Sequence, residues 1–356
     1  MKPSTDVGVQ PEEREKSFGG FGNGRKQRVG CLYSKTNQQF SLSQMESFVM
    51  DLSVIIPSRN EVFLQKTIEN ILENSEADTE IIAICDGYWP DPPVKDHDRV
   101  TIVHHTKPIG QRAATNEGAR ISQAKYIMKC DAHCAFGKGF DRILMEDCQH
   151  DWTMIPTMWN LHAFDWKCLK CGEQTYQGFK PEKCKCGSTD FEMVVIWEPR
   201  GNKVTYSWRF DKNMQFQYWR KHARRTTGDL IETMSFIGAC FLIPRDRYWE
   251  LDGFDENHGS WGQFGTELAC KTWLSGGKLI TSKKTWFGHM FRTGNFRGAF
   301  GEDGGGSFPY HLSQHQVDKA RTYSQDYWLN DKWPKAKYPL SWLVEKFKPV
   351  PGWHEA

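Results

Sequence analysis

An alternation of largely apolar runs with helical patterns, beginning at Asp51, most constrains what this chain can fold into. Short runs typical of buried strands lie at 52–57, 80–85, 99–104 and 125–130. Between them, apolar residues recur at the three- and four-residue spacing of amphipathic helices at 61–73 and 111–123. The order strand, helix, strand, strand, helix, strand predicts an α/β domain built on a parallel sheet.

The α/β pattern returns in the second half of the chain, after Gly238. We predict a strand at 239–243, a helix at 264–274, a short strand at 278–281 and a helix at 311–330. One domain is therefore expected over 51–330. A polar, flexible extension should precede it at 1–50, and a tail rich in Trp and Pro at 331–356 is expected to wrap it.

Composition narrows the class of protein. The 356 residues are 38% hydrophobic, and the formal net charge of +2 does not by itself favour nucleic acid or membranes as partners. No apolar run is long enough to span a bilayer, and the first residues lack the apolar core of a secretory signal. We therefore expect no membrane span and a cytoplasmic location. The eleven cysteines are then interpreted as thiols or metal ligands rather than as disulfides.

Two metal-binding residue types, Asp131 and His133, directly follow the fourth predicted strand. Side chains at this spacing can point at one ion because the chain leaves strand geometry there. An Asp with a His suits Mn²⁺, or Mg²⁺ in its place, better than Ca²⁺. The alternative is a capping Asp beside a packed His. Because ligands of parallel sheets bind at the carboxyl ends of the strands, Arg59, Asp86 and Asp131 should share one edge.

Residues 165–192 interrupt the α/β pattern with two cysteine pairs. Cys168 and Cys171 form a C-x-x-C, Cys184 and Cys186 form a C-x-C, and a glycine adjoins each pair. This is the knuckle arrangement of a zinc ribbon, in which four thiolates close a tetrahedral structural Zn²⁺ site. Four unrelated thiols are the alternative. A structural role is expected because so short an insert cannot build an apolar core.

Several blocks together resemble a known family in their order and spacing. The segments SVIIPSRNE, ICDGY and GQRAATNEGARISQAKYIMKCDAHCAFGKGF resemble the donor half of the family two glycosyltransferases. The DAHC segment is similar more particularly to the polypeptide N-acetylgalactosaminyltransferases. The segments GACFLIPRDRYWELDGFDE, SWGQFGTELACKTWLSGGKL and KKTWFGHMFRTGNF resemble the acceptor half of the same enzymes. Over roughly residues 51–297, outside the insert, the resemblance implies the GT-A fold, a Rossmann-like mixed sheet flanked by helices, and a UDP-sugar donor.

The resemblance also implies roles for individual residues. Those that resemble donor contacts are Arg59, Asp86, Arg112, Asp131 and Arg292. Asp86 would hold the nucleoside base, and the three arginines would lie near the diphosphate. His289 would be the third metal ligand, beside Asp131 and His133. Each has an ordinary alternative, such as a turn at Asp86 or a core histidine at His289.

One position departs from the family pattern. Three residues past Trp261 the family normally has a carboxylate, and here that residue is Phe264; Glu267 matches a second Glu of the polypeptide transferases. An inverting enzyme needs a general base close to the acceptor hydroxyl. Candidates for catalytic side chains are Trp261 and, as bases, Asp255, Glu256, His258 and Glu267. The alternative to an inverting enzyme with a protein base is a retaining mechanism, in which the leaving diphosphate itself accepts the proton of the acceptor hydroxyl. We favour the retaining mechanism.

The acceptor is suggested by basic residues interleaved with tryptophans around and after the insert. They include Lys167, Lys170, Lys180, Lys183, Lys185, Arg220, Lys221, Arg224 and Arg225. Such a surface can bind a nucleic-acid backbone, or it can be a solvated basic face. The favoured acceptor is a hydroxymethylated pyrimidine in DNA, as in phages that glycosylate their own genomes within a bacterial host. Alternatives are a surface-polysaccharide or protein acceptor, and a non-catalytic binding protein on a decayed transferase fold.

Overall fold

A computed structural model of the protein describes residues 50–178, 180–291 and 314–354. Arg292 and nearly all of the predicted N-terminal extension lie outside the described residues. The strands in chain order are β1 (Leu52–Ser58), β2 (Thr79–Asp86), β3 (Val100–His105), β4 (Tyr126–Cys130), β5 (Cys134–Phe136), β6 (Trp152–Cys168), β7 (Gln174–Tyr176), β8 (Phe191–Thr205), β9 (Trp208–Phe210), β10 (Phe216–Tyr218), β11 (Leu230–Glu232), β12 (Cys240–Pro244) and β13 (Lys278–His289).

The helices flank these strands. In chain order they are α1 (Leu64–Asn74), α2 (Gln111–Ile121), α3 (Phe140–Asp147), α4 (Arg220–Ala223), α5 (Arg245–Glu250), α6 (Phe264–Leu274), α7 (Gln314–Leu329) and α8 (Leu340–Lys346), with a 3₁₀ turn at Glu256–His258. None of the helices in the described part of the chain is long and apolar enough to cross a bilayer.

One mixed sheet organises the molecule. Its strand order is β11-β13-β6-β12-β4-β1-β2-β3, and β4, β1, β2 and β3 run parallel, as the sequence predicts. The second half joins at β12, which lies antiparallel to β4 and β6, whereas β13 runs parallel to β6. The predicted α/β class, with a mixed sheet flanked by helices, is confirmed.

Close packing of α2 on β1 sets the donor half of the sheet. The side chains of Leu52, Val54, Ile55 and Ile56 are fully buried, so β1 is apolar on both faces. Gly118 lies where α2 meets this strand, and a Cβ at that position would come within 2.5 Å of Ile55 Cγ2. The glycine therefore permits the helix to lie directly on the strand.

The predicted insert is the outer part of a longer hairpin. β6 and β8 pair antiparallel from Met158 opposite Thr205 to Cys168 opposite Phe191, and β7 pairs with the other edge of β6. Because β6 is also a strand of the main sheet, the cysteine region is continuous with the core through one 17-residue strand.

The last sheet strand is longer than its sequence suggests. We predict a strand only at 278–281, but β13 continues through Lys283 and Lys284 to His289. Its register against β6 shifts between Ser282 and Trp286, so an irregularity absorbs the two lysines. The extension brings His289 to the same end of the sheet as Asp131.

Candidate active site

A cleft of about 540 Å³ opens at the carboxyl ends of β1, β2 and β4. The donor half contributes side chains at or just after the ends of these strands, namely Arg59, Asp86, Asp131 and His133. The opposite wall comes from Gln215, Phe216, Tyr218 and residues 236–239, 260–266 and 289–291, with two residues of α7. The position follows the rule for open α/β sheets, in which strand ends deliver polar side chains to one crevice.

Asp131, His133 and His289 converge in this cleft. Their ligand atoms all lie within 4.8 Å of one another. His133 Nε2 is 3.2 Å from His289 Nε2, which in turn is 3.1 Å from Asp131 Oδ2. The backbone N–H of Met290 donates to the carbonyl of His133, which fastens the end of β13 to the segment after β4. Two imidazole nitrogens and a carboxylate oxygen form a donor set suited to Mn²⁺.

Two further residues orient these ligands. Glu61 Oε2 lies 2.8 Å from His133 Nδ1, so the carboxylate holds the ring with Nε2 towards the site. Lys129, which is 1% exposed, donates to Asp131 Oδ1 and, at 3.0 Å, to the carbonyl of Gly238. Neither residue was found by sequence reasoning. In the sequence, the contact between Lys129 and Asp131 is indicated only by the presence of a lysine inside the apolar run of β4.

The local charges favour the ionised carboxylate and the neutral imidazole. Burial by itself raises the pKa of Asp131, but the ammonium of Lys129 and the hydrogen bond with His289 outweigh it and hold the pKa well below its usual range. Burial lowers the pKa of His289, although Asp131 partly opposes this. These are the protonation states in which both groups can coordinate a cation.

Asp86 is engaged with the loop that leads into α2. Its Oδ1 accepts from the N–H of Ile109 at 2.5 Å and its Oδ2 from the N–H of Gly110 at 3.1 Å. Gly110 has a φ of +91°, and a Cβ there would lie 2.9 Å from Ser260 Cα. The carboxylate therefore shapes the floor of the cleft while still lining it. Arg59 lines the same side, with its guanidinium 5.9 Å from the ring centroid of Tyr88.

Arg112 does not face the cleft, contrary to the sequence expectation. It is 1% exposed, and its Nε donates to Glu267 Oε2 at 2.8 Å. Its two terminal nitrogens donate to the carbonyls of Gly259 and Gly262 at 3.1 and 2.8 Å. The guanidinium is thus used to hold the loop that carries Trp261, a residue that does line the cleft.

Two of the candidate bases, Glu267 and His258, are also withdrawn from the cleft. Both are fully buried. Glu267 lies in the first turn of α6, where Oε1 is 3.0 Å from the ammonium of Lys271 and accepts from the N–H of Asp255 at 2.6 Å. A carboxylate that is enclosed and bonded on both oxygens has no path to an acceptor hydroxyl. This geometry corrects the expectation that either residue is a base.

Phe264 occupies the position where the family pattern has a carboxylate. It is 5% exposed at the cleft wall and stacks on Phe254 with ring centroids 3.7 Å apart. The cations of Lys129 and Arg112 lie 4.9 and 5.7 Å from its ring centroid. An apolar ring flanked by two cations therefore stands where a base was expected.

The four cysteines of the insert form a second cluster. The sulfur atoms of Cys168, Cys171, Cys184 and Cys186 lie within 4.8 Å of one another. The nearest pairs are 3.5 and 3.6 Å apart, too far for disulfide bonds. The pKa of Cys168 is lowered to about 6, first by the backbone N–H of Cys171. The arrangement fits a tetrahedral zinc site.

Turns of the knuckle type support this cluster. The N–H of Gly172 donates to the carbonyl of Cys168 at 2.9 Å, and the N–H of Gly187 donates to the carbonyl of Cys184 at 2.8 Å. Both glycines have positive φ, +75° and +88°, which a side chain would strain. The glycine beside each cysteine pair is therefore required by the backbone.

The mixed sheet and the strand-end cleft define a protein of the GT-A fold. Residues 53–161 match the family model described as glycosyl transferase family 2. This part of the chain is thus similar to family two glycosyltransferase domains, and the chain is similar in sequence to the polypeptide N-acetylgalactosaminyltransferases.

Individual relatives show the extent of the likeness. Polypeptide N-acetylgalactosaminyltransferase 6 of Bos taurus and polypeptide N-acetylgalactosaminyltransferase 3 of Homo sapiens are each 24% identical over 252 residues. These alignments cover 68% of this chain and 37% of each relative, so the chain spans little more than a third of their length. The crystal structure of GalNAc-T7 with UDP, GalNAc and Mn²⁺ is 18% identical, with a TM-score of 0.57, and covers 80% of this chain and 50% of that one.

Proposed function

We propose that this protein is a metal-dependent glycosyltransferase that moves a hexose or N-acetylhexosamine from a UDP-sugar to an acceptor hydroxyl. The observation that carries the proposal is the convergence of Asp131, His133 and His289 in the strand-end cleft. The two histidines are 156 residues apart in the chain, so their meeting is a product of the fold. The crystal structure of GalNAc-T7, which shares the fold, contains UDP and Mn²⁺ and supports the same assignment.

The residues present fit a divalent metal bound with a diphosphate. Asp131, His133 and His289 would hold the ion, with Mg²⁺ as the alternative to Mn²⁺. An ion held there supplies positive charge to the diphosphate oxygens as they leave. Glu61 and Lys129 keep two of the ligands in place through the contacts at His133 and Asp131.

The rest of the cleft would hold the donor. Asp86 and Arg59 line the part formed by β1 and β2, where the base and the diphosphate would lie in this proposal. Trp261 lies on the opposite wall, on the loop that Arg112 holds by two carbonyls. Arg112 is accordingly proposed as a positioning residue and not as a donor contact.

A retaining reaction suits this cleft. Among its described lining residues the only carboxylates are Glu61, Asp86 and Asp131, and all three belong to the donor side. In the proposed step, the bond between the anomeric carbon and the diphosphate oxygen breaks. The acceptor oxygen bonds to the same face, and its proton passes to the departing diphosphate oxygen. No separate protein base is then needed.

The proposed acceptor is a hydroxymethylated pyrimidine in DNA. Gln215, Phe216 and Tyr218 line the cleft, and the chain runs from them directly into a strongly basic segment at 219–225. Cations beside the opening favour an acceptor with a phosphate backbone. The cysteine cluster would stabilise the hairpin of β6 and β8 as a structural Zn²⁺ site.

Turnover of UDP-sugars with Mn²⁺ tests the proposal. We expect hydrolysis by the wild-type protein and its loss in Asp131→Ala, while Asp98→Ala, at an exposed residue that does not line the cleft, keeps the wild-type rate. Adding hydroxymethylated DNA, and plain DNA as its control, should give sugar transfer to the first only. NMR of the product should show the anomeric configuration of the donor.

Three results would count against parts of this assignment. The absence of turnover with any UDP-sugar, together with unchanged behaviour of Asp131→Ala, would indicate a binding protein. Transfer to peptides but not to DNA would replace the acceptor. An inverted product would rule out the retaining reaction and would require a base that the described cleft residues do not supply.

A further inference from the structure

A second cleft, of about 670 Å³, lies between the basic segment after β10 and the C-terminal tail. One wall is formed by residues 219–232 and the other by residues 346–354. Its polar and aromatic lining includes Trp219, Lys221, His222, Arg225, Lys346 and Lys348. None of the donor-site residues belongs to it, so its chemistry needs a separate explanation.

The charge on the first wall is concentrated and uncompensated. Arg220, Lys221, Arg224 and Arg225 lie within six consecutive residues at and just after α4, and of these Lys221 and Arg225 line the cleft. Within the part of the chain that the structure describes, no ion pair joins any of these four side chains to a carboxylate. Like charges this close repel one another, so the segment favours an external anion.

The second wall adds two lysines, each of which has a carboxylate partner. Lys346 pairs with Glu232 at 2.8 Å, and Lys348 lies 3.3 Å from Glu345. Glu232 is the one carboxylate among the described residues of the lining. Against it stand Lys221, Arg225 and the two tail lysines, so the cleft carries a positive surplus.

Packed aromatic side chains support the wall that carries these cations. The ring of His222 stacks on Trp219, with centroids 4.4 Å apart and an interplanar angle of 23°. Its Nδ1 lies 2.9 Å from the hydroxyl of Ser207, and Trp219 is 5% exposed. Phe347 of the tail packs against both rings. The segment that carries these cations is therefore attached to the tail through packed aromatic rings.

One segment of chain borders both clefts. Gln215, Phe216 and Tyr218 line the donor cleft, and the lining of the basic cleft begins at Trp219. The lining of the basic cleft therefore begins one residue after the wall of the donor cleft that contains Tyr218.

We infer that the basic cleft binds the phosphodiester backbone of a nucleic acid whose target base lies in the donor cleft. This inference rests on the proposed function. Lys221 and Arg225 contact phosphates from one wall, and the tail lysines contact them from the other. Phosphate contacts of this kind position a nucleic acid without reading its sequence. Selection of the modified base is left to the donor cleft.

Binding of labelled hydroxymethylated DNA to the full chain, measured by fluorescence anisotropy at several salt concentrations, tests the inference. In Lys221→Gln/Arg225→Gln we expect the Kd to rise about tenfold, and the negative slope of the logarithm of the association constant against log salt to decrease in magnitude by about 0.9 for each lost phosphate contact. The charge-matched control is Lys95→Gln/Lys138→Gln, two exposed lysines that line neither cleft. It should retain the wild-type Kd, slope and turnover.

Two further comparisons make the result specific. Arg225→Lys with Lys221→Arg preserves both charges and should restore binding. If the double glutamine variant has a lowered melting temperature, the single variants Lys221→Gln and Arg225→Gln provide the same comparison.

The outcomes separate this inference from the proposed function. If wild-type protein binds DNA but the glutamine variant matches the control in Kd and slope, the cleft assignment is wrong and the proposed function stands. If wild-type protein turns over UDP-sugar but binds no DNA, both the cleft and the DNA acceptor are wrong. Binding of phosphatidylserine vesicles in place of DNA, lost in the glutamine variant, would make the cleft a membrane contact and overturn the inference.

Discussion

Glu267, Arg112 and Lys271 form a buried charge cluster beneath the first turn of α6. All three side chains are at most 2% exposed. Glu267 lies 2.8 Å from the arginine and 3.0 Å from the lysine, and the arginine in turn holds the loop of Trp261. Because the two cations have one buried carboxylate between them, that carboxylate cannot be removed without leaving charge unpaired.

Replacing Glu267 by Gln should therefore destabilise the protein by about 3–5 kcal/mol, because it leaves the two buried cations, Arg112 and Lys271, without their shared counter-charge. Urea unfolding measures the change. The control is Glu250→Gln, whose carboxylate is about half exposed, with an expected change of less than about 0.5 kcal/mol. A stable Glu267→Gln protein that has lost turnover would instead make Glu267 a catalytic candidate again.

The same cluster predicts how stability depends on pH. Burial raises the pKa of Glu267, but Lys271 and Arg112 outweigh it and lower the pKa from 4.5 to about 2. A depressed folded-state pKa contributes stability that is complete above pH 4.5 and is lost as the pH falls towards 2. The difference between the urea midpoints of the wild-type protein and Glu267→Gln should therefore become smaller as the pH falls from 4.5 towards 2. A constant gap would mean that Glu267 is not ionised in the folded protein.

At the scale of elements, the hairpin of β6 and β8 is held at its outer end by the cysteine cluster. Near this end Leu169 is 60% exposed, and the small apolar group there contains little beyond Phe191 and the cysteines. So few buried apolar groups cannot hold a hairpin end in one conformation, whereas a tetrathiolate zinc site can.

Cys184→Ser should reduce zinc to well below one per chain and expose the segment between β6 and β8 to protease. Elemental analysis and limited proteolysis measure the two effects. Cys148→Ser changes a half-buried thiol outside the cluster and should leave the zinc content unchanged. A full zinc complement in the Cys184 variant would show that another set of ligands binds the metal.

At the scale of the whole molecule, the C-terminal tail belongs to the main core. The described residues, those of the tail included, all lie within one compact unit. Trp333, Leu343 and Val350 are at most 4% exposed and lie in the same apolar cluster as β1 and β4. The tail also supplies one wall of the basic cleft, so it contributes to stability and, in our inference, to acceptor binding.

Leu343→Ala should destabilise the whole unit by about 2–5 kcal/mol, since it leaves a cavity in the core. Leu329→Ala makes the same chemical change at a residue that is 43% exposed, and it should cost less than about 1 kcal/mol. Urea unfolding of both variants gives the comparison. Equal small effects would mean that α8 is only loosely attached to the core.

Local sequence was sufficient to predict those elements and motifs whose pattern lies within a few consecutive residues. Strands β1 to β4 were predicted within about two residues. For β1, β2 and β4 the reason is that strands buried on both faces have continuous apolar runs. The expectation of burial was wrong for β3, which is a partly exposed strand at the edge of the sheet. The pairing of Asp131 with His133 and the cysteine knuckles follow from spacings of two or three residues. His289 was expected only through the family resemblance, since nothing near it in the chain indicates a ligand.

Only the tertiary structure decided which charged residues face the cleft. Arg112 and Glu267 are 155 residues apart, and the sequence alone suggested a donor contact for the first and a general base near the acceptor for the second. The fold instead encloses them together, because a buried charge is tolerated only beside its partner. Lys129 was likewise not recognised from the sequence, because it lies within the apolar run of β4. Sequence thus determined the sheet and the types of ligand available, whereas desolvation and long-range pairing determined which side chains remain free for chemistry.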